Sequence, residues 1–199
     1  IGKEVDSSDI IHEILQDLIY YQKSGGGITL SGGEPLQQKD FALDILQKCR
    51  EHRIHTAVET NLLTDVNTLE AFLPWVDLWM CDFKMADDTL HRKWTGHSNV
   101  PIIKNLEFLA KQAVPLTIRT PVIPNVNDSE EAIESICRFI RQLPNQPAYE
   151  LLGFHSLGFV KFENLGMKNP LSNSAFLKKG QLQKLKEILI RYNLNNNKK

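Results

Sequence analysis

Five short runs of apolar and β-branched residues, each set apart from the next by a stretch of helical spacing, limit this chain to one class of architecture. The runs cover 28–30, 55–59, 76–83, 116–122 and 149–154. Between them, residues 39–51, 66–72, 101–112 and 129–142 repeat apolar residues at three- and four-residue intervals, the mark of amphipathic helices. Ile10, Ile11, Ile14, Leu15, Leu18 and Ile19 form one stripe of a helix over 8–23, with Ser7 or Ser8 as N-cap. A last helix is expected over 180–192. Strands that alternate with helices pair in parallel, and the helices cover the sheet. One α/β domain is expected over 1–192, followed by a disordered polar tail over 193–199. A parallel sheet of this kind ordinarily opens on a strand, whereas this chain opens on a helical stripe. The expectation is therefore a helix-covered parallel sheet of about five strands with a first β-α unit missing.

Bulk composition narrows the partners. Among 199 residues, 23 Lys and Arg nearly balance 24 Asp and Glu. That balance removes the electrostatic case for nucleic acid or an anionic membrane surface. No apolar run approaches the ~20 residues that span a bilayer. A cytoplasmic setting is the expectation. Cys49 and Cys137 fall in helical patterns and Cys81 in a strand pattern. Such separation is not metal-ligand spacing, so buried structural thiols are expected.

In parallel α/β folds, ligands bind at the carboxyl ends of the strands. Here those ends carry Gly32, Gly33 and Glu34, then Glu59, Thr60 and Asn61, then Asp82 and Lys84, then Arg119 and Thr120, and finally His155. Every end is polar or glycine-rich, although the strands themselves are largely apolar. That pattern reads as a site.

The first end, Ser31-Gly32-Gly33-Glu34-Pro35, resembles a phosphate loop only in its glycines. Glu34 would repel an anion, and Pro35 lacks an N–H donor. Exposed carbonyls and a carboxylate accept hydrogen bonds, so the complementary ligand is a cation, and an ammonium group fits best. The competing reading is a plain strand-to-helix turn, with Glu34 placed at the helix start.

SGGEP after a strand, with polar strand ends following, resembles the radical S-adenosylmethionine enzymes. More narrowly, the chain resembles the glycyl-radical enzyme activases, of which the pyruvate formate-lyase activating enzymes are one kind. The segments that carry the resemblance are SGGGITLSGGEPL, HTAVETN, DLWMCDFKMADDTLHRKWTGHSN, IRTPVIPNVND and ELLGFHSLGFVKFENLG, in family order from Lys3 to about Leu165. The resemblance implies an incomplete, TIM-like β/α barrel of about five parallel strands with its first β-α unit missing, in which Gly32, Gly33 and Glu34 hold the ammonium of S-adenosylmethionine. It also implies that Asp82, Phe83 and Lys84 line its methionyl and ribose side, that His155 contacts it, and that Arg119 faces the pocket. Glu59, Thr60, Met80 and Asp82 match positions that hold a monovalent cation, although the family enzyme has an aspartate in place of Glu59. The implied chemistry is one-electron cleavage of the cofactor to a 5′-deoxyadenosyl radical that takes a hydrogen atom from a glycine of a partner such as pyruvate formate-lyase. A flavodoxin or ferredoxin would supply the electron.

Two departures qualify the resemblance. The family's 4Fe-4S cluster is held by a CxxxCxxC loop, which this sequence lacks, so the expectation is that the cluster ligands are outside the chain and that the chain alone is inactive. Leu62 stands where the family often has glycine, and leucine resists a positive φ. Two other readings are compatible with parts of the pattern: an aldolase-like barrel with Lys84 as Schiff-base lysine, and a cluster-free partner-binding module.

Overall fold

The computed structural model describes residues 3–112, 114–156, 158–169, 171 and 176–194. The five expected strands are β1 (Gly27–Leu30), β2 (His55–Thr60), β3 (Leu78–Asp82), β4 (Leu116–Val122) and β5 (Ala148–Gly153). They form one parallel sheet in the order β1-β2-β3-β4-β5. Register is fixed at its first two joins, where Leu30 lies beside Val58, and Glu59 beside Met80.

Nine helices flank these strands among the described residues: α1 (Ser7–Gln16), α2 (Leu18–Ser24), α3 (Lys39–Glu51), α4 (Val66–Phe72), α5 (Asp88–Thr95), α6 (Val100–Lys111), α7 (Glu130–Gln142), α8 (Phe159–Asn164) and α9 (Gln181–Arg191). The single first helix expected from sequence is interrupted at Asp17, which has φ −98° and ψ 7°. Beyond the break Leu18 and Tyr21 still pack on the same core as Ile14 and Leu15, whereas Ile19 and Tyr20 are left exposed. Helices α5 and α8 were not expected. Helix α5 buries only His91, so its sequence DTLHRKWT carries no apolar stripe to betray it. At the other end, Leu194 is buried and donates its N–H to the Leu189 carbonyl, closing α9 inside the stretch read as a tail. Residues 195–199 of that tail lie outside the described residues.

The chain divides into two compact units. The first comprises Glu4–Asp82 and Val100–Ile118; the second comprises Phe83–Asn99 and the chain from Arg119 onward. In the first unit, Ile11, Ile45, Cys49 and Ile54 form a core against which Ile14, Leu18, Ile28 and Phe41 pack. Gly27 brings β1 and β2 together: a Cβ there would sit 1.8 Å from the His55 carbonyl oxygen. In the second unit, the buried stripe of α7 (Ile133, Ile136, Cys137 and Ile140) packs beneath α9.

All three cysteines are free and buried, as their separation predicts. Burial pushes the Cys49 thiol up to about 11, and it is the main cause that raises the Cys137 thiol to about 12. Iodoacetamide at about pH 8 should therefore leave Cys49 and Cys137 unlabelled in the folded chain and label both in urea, since the thiolate is the reactive form. Intact-mass spectrometry reads the difference. Rapid labelling of either thiol in the native chain would contradict this packing.

Candidate functional site

In the first unit, the site is built on the ends of β1, β2 and β3. Gly32 has a φ of 120°, and neither it nor Gly33 has any heavy atom within 4 Å of where a Cβ would stand. This is an open cradle of backbone, which any side chain would begin to fill. Glu34 then caps the 3-10 turn over Pro35–Gln38, its Oε1 accepting from the Leu36 N–H at 3.3 Å. The same oxygen accepts from the Thr60 hydroxyl at 2.7 Å, and Oε2 accepts from the Asn61 N–H at 2.8 Å. Glu34 is thus both the carboxylate beside the cradle and the tie between the ends of β1 and β2. The helix-start reading of Glu34 and the ligand reading are not exclusive: a carboxylate offers about four lone-pair sites, and three donors are supplied.

Glu59, half-buried, accepts from the Ser31 hydroxyl at 3.0 Å, so a second carboxylate stands at the SGGEP segment. Its neighbour in register is Met80, which is half-exposed, as is Asp82 two residues on. Side chains alternate along a strand, and burial follows that rule: Trp79 and Cys81, which alternate with Met80 and Asp82, are wholly buried. The proposed cation residues are not all on that face. Thr60 is buried, and its hydroxyl donates to Glu34 while accepting from the Leu62 N–H at 3.0 Å. One lone pair of that hydroxyl is left over by these two contacts. Among the described residues, no three His, Cys, Asp or Glu side chains come together as a metal-binding group.

The turn after β2 takes the conformation that its sequence resists. Leu62 has a φ of 58°. Left-handed backbone costs a leucine roughly 1–2 kcal/mol. Its side chain is fully buried, a contribution of about 2 kcal/mol that offsets the strain. Asn105 of α6 holds the turn from above, its amide donating to the Leu62 carbonyl at 2.9 Å and to the Thr64 carbonyl at 2.8 Å.

In the second unit, the polar residues stand at the exits of β3, β4 and β5. Lys84 is half-exposed between the buried Phe83 and Met85. Phe83, expected to line the cofactor, is turned the other way by strand alternation. Its ring packs against Phe139 of α7 with centroids 5.1 Å apart, and its backbone N–H donates to the Arg119 carbonyl at 2.9 Å. Its side chain belongs to the core. Arg119 occupies a half-buried position of β4 between Ile118 and Thr120, both fully buried. Thr120 donates its hydroxyl to the Phe83 carbonyl at 2.6 Å and accepts from the Tyr149 hydroxyl at 3.1 Å. Burial drives the Tyr149 phenol well above its ordinary range, so it remains a donor. His155 is exposed, two residues beyond β5. Gly153 closes that strand, with Leu182 of α9 3.3 Å from where a Cβ would be.

Sequence reasoning missed the buried asparagines. Besides Asn105, Asn99 donates to the Met85 and Ala86 carbonyls at 3.0 and 2.9 Å, and Asn127 donates to the Lys84 and Pro121 carbonyls, both at 2.9 Å. The only signal was their presence inside otherwise apolar or turn-rich segments, HSN and PNVND.

Comparison with known proteins places this arrangement. Residues 3–139 match the model of the Radical SAM superfamily. The isethionate sulfite-lyase activating enzyme of Desulfovibrio desulfuricans is 40% identical over 172 residues, 85% of this chain and 55% of that protein. The pyruvate formate-lyase-activating enzyme of Clostridium pasteurianum is 34% identical over 188 residues, 94% of this chain and 79% of that protein. A crystal structure of a domain of pyruvate-formate lyase-activating enzyme from Bacteroides vulgatus superposes with a TM-score of 0.72 at 31% identity, covering 85% of this chain and 96% of that one. The chain spans about half the length of the first of these curated relatives. Its five-stranded sheet is that of the partial TIM barrels among its structural neighbours. With the SGGEP turn, the ordered strand ends and these relatives together, the chain belongs to the radical SAM superfamily, in the branch of the activating enzymes of glycyl-radical enzymes.

Proposed function

We propose that this chain is the S-adenosylmethionine-binding part of a glycyl-radical enzyme activating enzyme. The observation that carries the reading is the open Gly32-Gly33 cradle beside the Glu34 carboxylate, a site made of acceptors. It fits an ammonium group, and S-adenosylmethionine presents one. When bound with a reduced cluster, that cofactor supplies the radical that removes a hydrogen atom from a partner's glycine. In the first unit, Gly32, Gly33 and Glu34 would hold the ammonium end and Asp82 would accept from the ribose diol; in the second, Lys84 and Arg119 would complement carboxylate charge and His155 would contact the cofactor. Glu59, Thr60, Met80 and Asp82 are the candidate ligands for a monovalent cation.

The 4Fe-4S cluster does not fit the residues present. Cys49, Cys81 and Cys137 are each buried on a separate element, so its thiolate ligands come from outside them. The partner is a glycyl-radical enzyme, and an electron donor such as flavodoxin or ferredoxin serves the cluster. Relatives named for isethionate sulfite-lyase, (2S)-3-sulfopropanediol dehydratase and pyruvate formate-lyase span several such enzymes, so the partner is proposed at that level. No described helix is long and apolar enough to cross a membrane.

Calorimetry on the chain tests the ammonium site. S-adenosylmethionine should bind at least about tenfold more tightly than 5′-methylthioadenosine, which lacks the amino-acid end, because charge-assisted hydrogen bonds contribute roughly 1.5–3 kcal/mol. Equal affinity for the two nucleosides would overturn the reading.

A further inference from the structure

The segment PVIPNVND has no role in the site as described so far, yet it holds a wholly buried polar side chain. Asn127 is 2% exposed. Its amide donates both hydrogens, to the carbonyls of Lys84 and Pro121 at 2.9 Å each, and its Oδ1 accepts from the Ile123 N–H at 2.7 Å. Only this orientation of the amide is possible: flipped, its oxygen would face two carbonyls and its NH2 would face an N–H. Asparagine alone has this reach and this pairing of two donors with one acceptor. Aspartate cannot donate, and glutamine is one methylene too long.

Position gives the contact its meaning. At the exit of β3, the Phe83 N–H donates to the Arg119 carbonyl at 2.9 Å, and from there side chains take over the ladder. The Thr120 hydroxyl meets the Phe83 carbonyl, and Asn127 meets the next one, at Lys84. The loop that carries Asn127 is itself anchored. Asn125, at a φ of 60°, donates its N–H to Asp128 Oδ1 at 2.9 Å, and Asp128 Oδ2 accepts from Gln181 of α9 at 2.8 Å. A rigid chain of contacts thus runs from α9 through the loop to the backbone of Lys84.

We infer that Asn127 is a positioning residue that fixes the backbone of Lys84, and through it the direction in which the Lys84 ammonium presents to its ligand. The inference rests on the reading of Lys84 as a group that complements the cofactor's carboxylate. Without the amide, the carbonyls of Lys84 and Pro121 lose their buried donor, the β3 exit relaxes, and the lysine samples directions away from the ligand.

A double-mutant cycle on the chain tests this, with the affinity for S-adenosylmethionine read by calorimetry. Lys84→Met and Asn127→Ala should each weaken binding by about tenfold, and the double variant by no more than about tenfold, because coupled residues fail to add. Ser129→Ala removes the N-cap of α7, whose hydroxyl accepts from the Ala132 N–H at 3.2 Å, and serves as the stability control: its melting temperature falls while its affinity stays at the wild-type value. Asn127→Ser, which keeps one donor in the space, is the milder variant and should fall between wild type and Asn127→Ala. Wild-type affinity in the Asn127 variants would overturn the inference alone, as would a roughly hundredfold loss in the double variant, the product of independent effects. Wild-type affinity in Lys84→Met would overturn the assignment of Lys84 and this inference with it.

Discussion

Replacing Gly27 with alanine is expected to prevent β1 from pairing with β2 and to cost about 3–5 kcal/mol, in the exceptional range for a single substitution. The added Cβ would lie 1.8 Å from the His55 carbonyl oxygen, 2.6 Å from its carbon and 2.9 Å from the His55 Cα. These are backbone atoms of the residue in register with Gly27, so no rotamer change relieves the overlap. Strand β1 must move away, and it carries the SGGEP turn with it. Urea denaturation followed by circular dichroism reads the loss as a lower midpoint. Gly26→Ala is the matched comparison. There the Cβ would meet only the Ser24 hydroxyl oxygen, at 3.0 Å, and a side-chain end can rotate aside, so the cost should stay below about 1 kcal/mol. A Gly27→Ala chain with the wild-type midpoint would show that the β1–β2 register is wrong.

The second large effect is expected at Glu34, where fold and ligand meet on one side chain. Glu34→Ala removes the acceptor of Leu36, Thr60 and Asn61. Unsatisfied buried donors cost about 1–3 kcal/mol each; with Glu34 only half-buried, a total of about 2–4 kcal/mol is expected. The same change should weaken S-adenosylmethionine binding by more than about tenfold through loss of a charge-assisted contact to the ammonium. Thr60→Val separates the two contributions. It removes one donor to Glu34 and the acceptor of the Leu62 N–H but keeps the carboxylate, so stability should drop by about 1–3 kcal/mol while affinity stays within about twofold. Calorimetry and urea titration on the same three chains give both numbers. If Glu34→Ala leaves the urea midpoint unchanged, the tie between β1 and β2 is not what holds the turn.

How far the sequence announced this arrangement depends on the range of the forces involved. Strand positions were legible because runs such as 116–122 are β-branched and set between helical stripes, and burial along β4 alternates as such a run requires. Alternation also accounts for the Phe83 side chain, which turns to the core between Asp82 and Lys84. The break at Asp17 was not legible, because the apolar spacing runs through it unbroken. Helix α5 escaped for the opposite reason. Its start was nevertheless marked, by Asp87, which accepts from the Leu90 N–H at 2.7 Å. The Leu62 turn was read as a conflict between residue and conformation, and the conflict is real. What resolves it, full burial of the side chain and an amide from Asn105 on α6, lies 43 residues away and leaves no local trace.

Asparagines 99, 105 and 127 hold the exits of β2, β3 and β4 through neutral amides. An ion-pair clamp in the same places would loosen as its carboxylate took up a proton, or as counterions screened it over a Debye length of about 8 Å at physiological ionic strength. An amide does neither. The amide contacts to Leu62, Lys84 and Pro121 therefore persist across buffers of differing acidity and salt, and acid sensitivity of the scaffold is confined to its carboxylate ties, such as Glu34 at the Asn61 N–H and Asp128 at the Asn125 N–H.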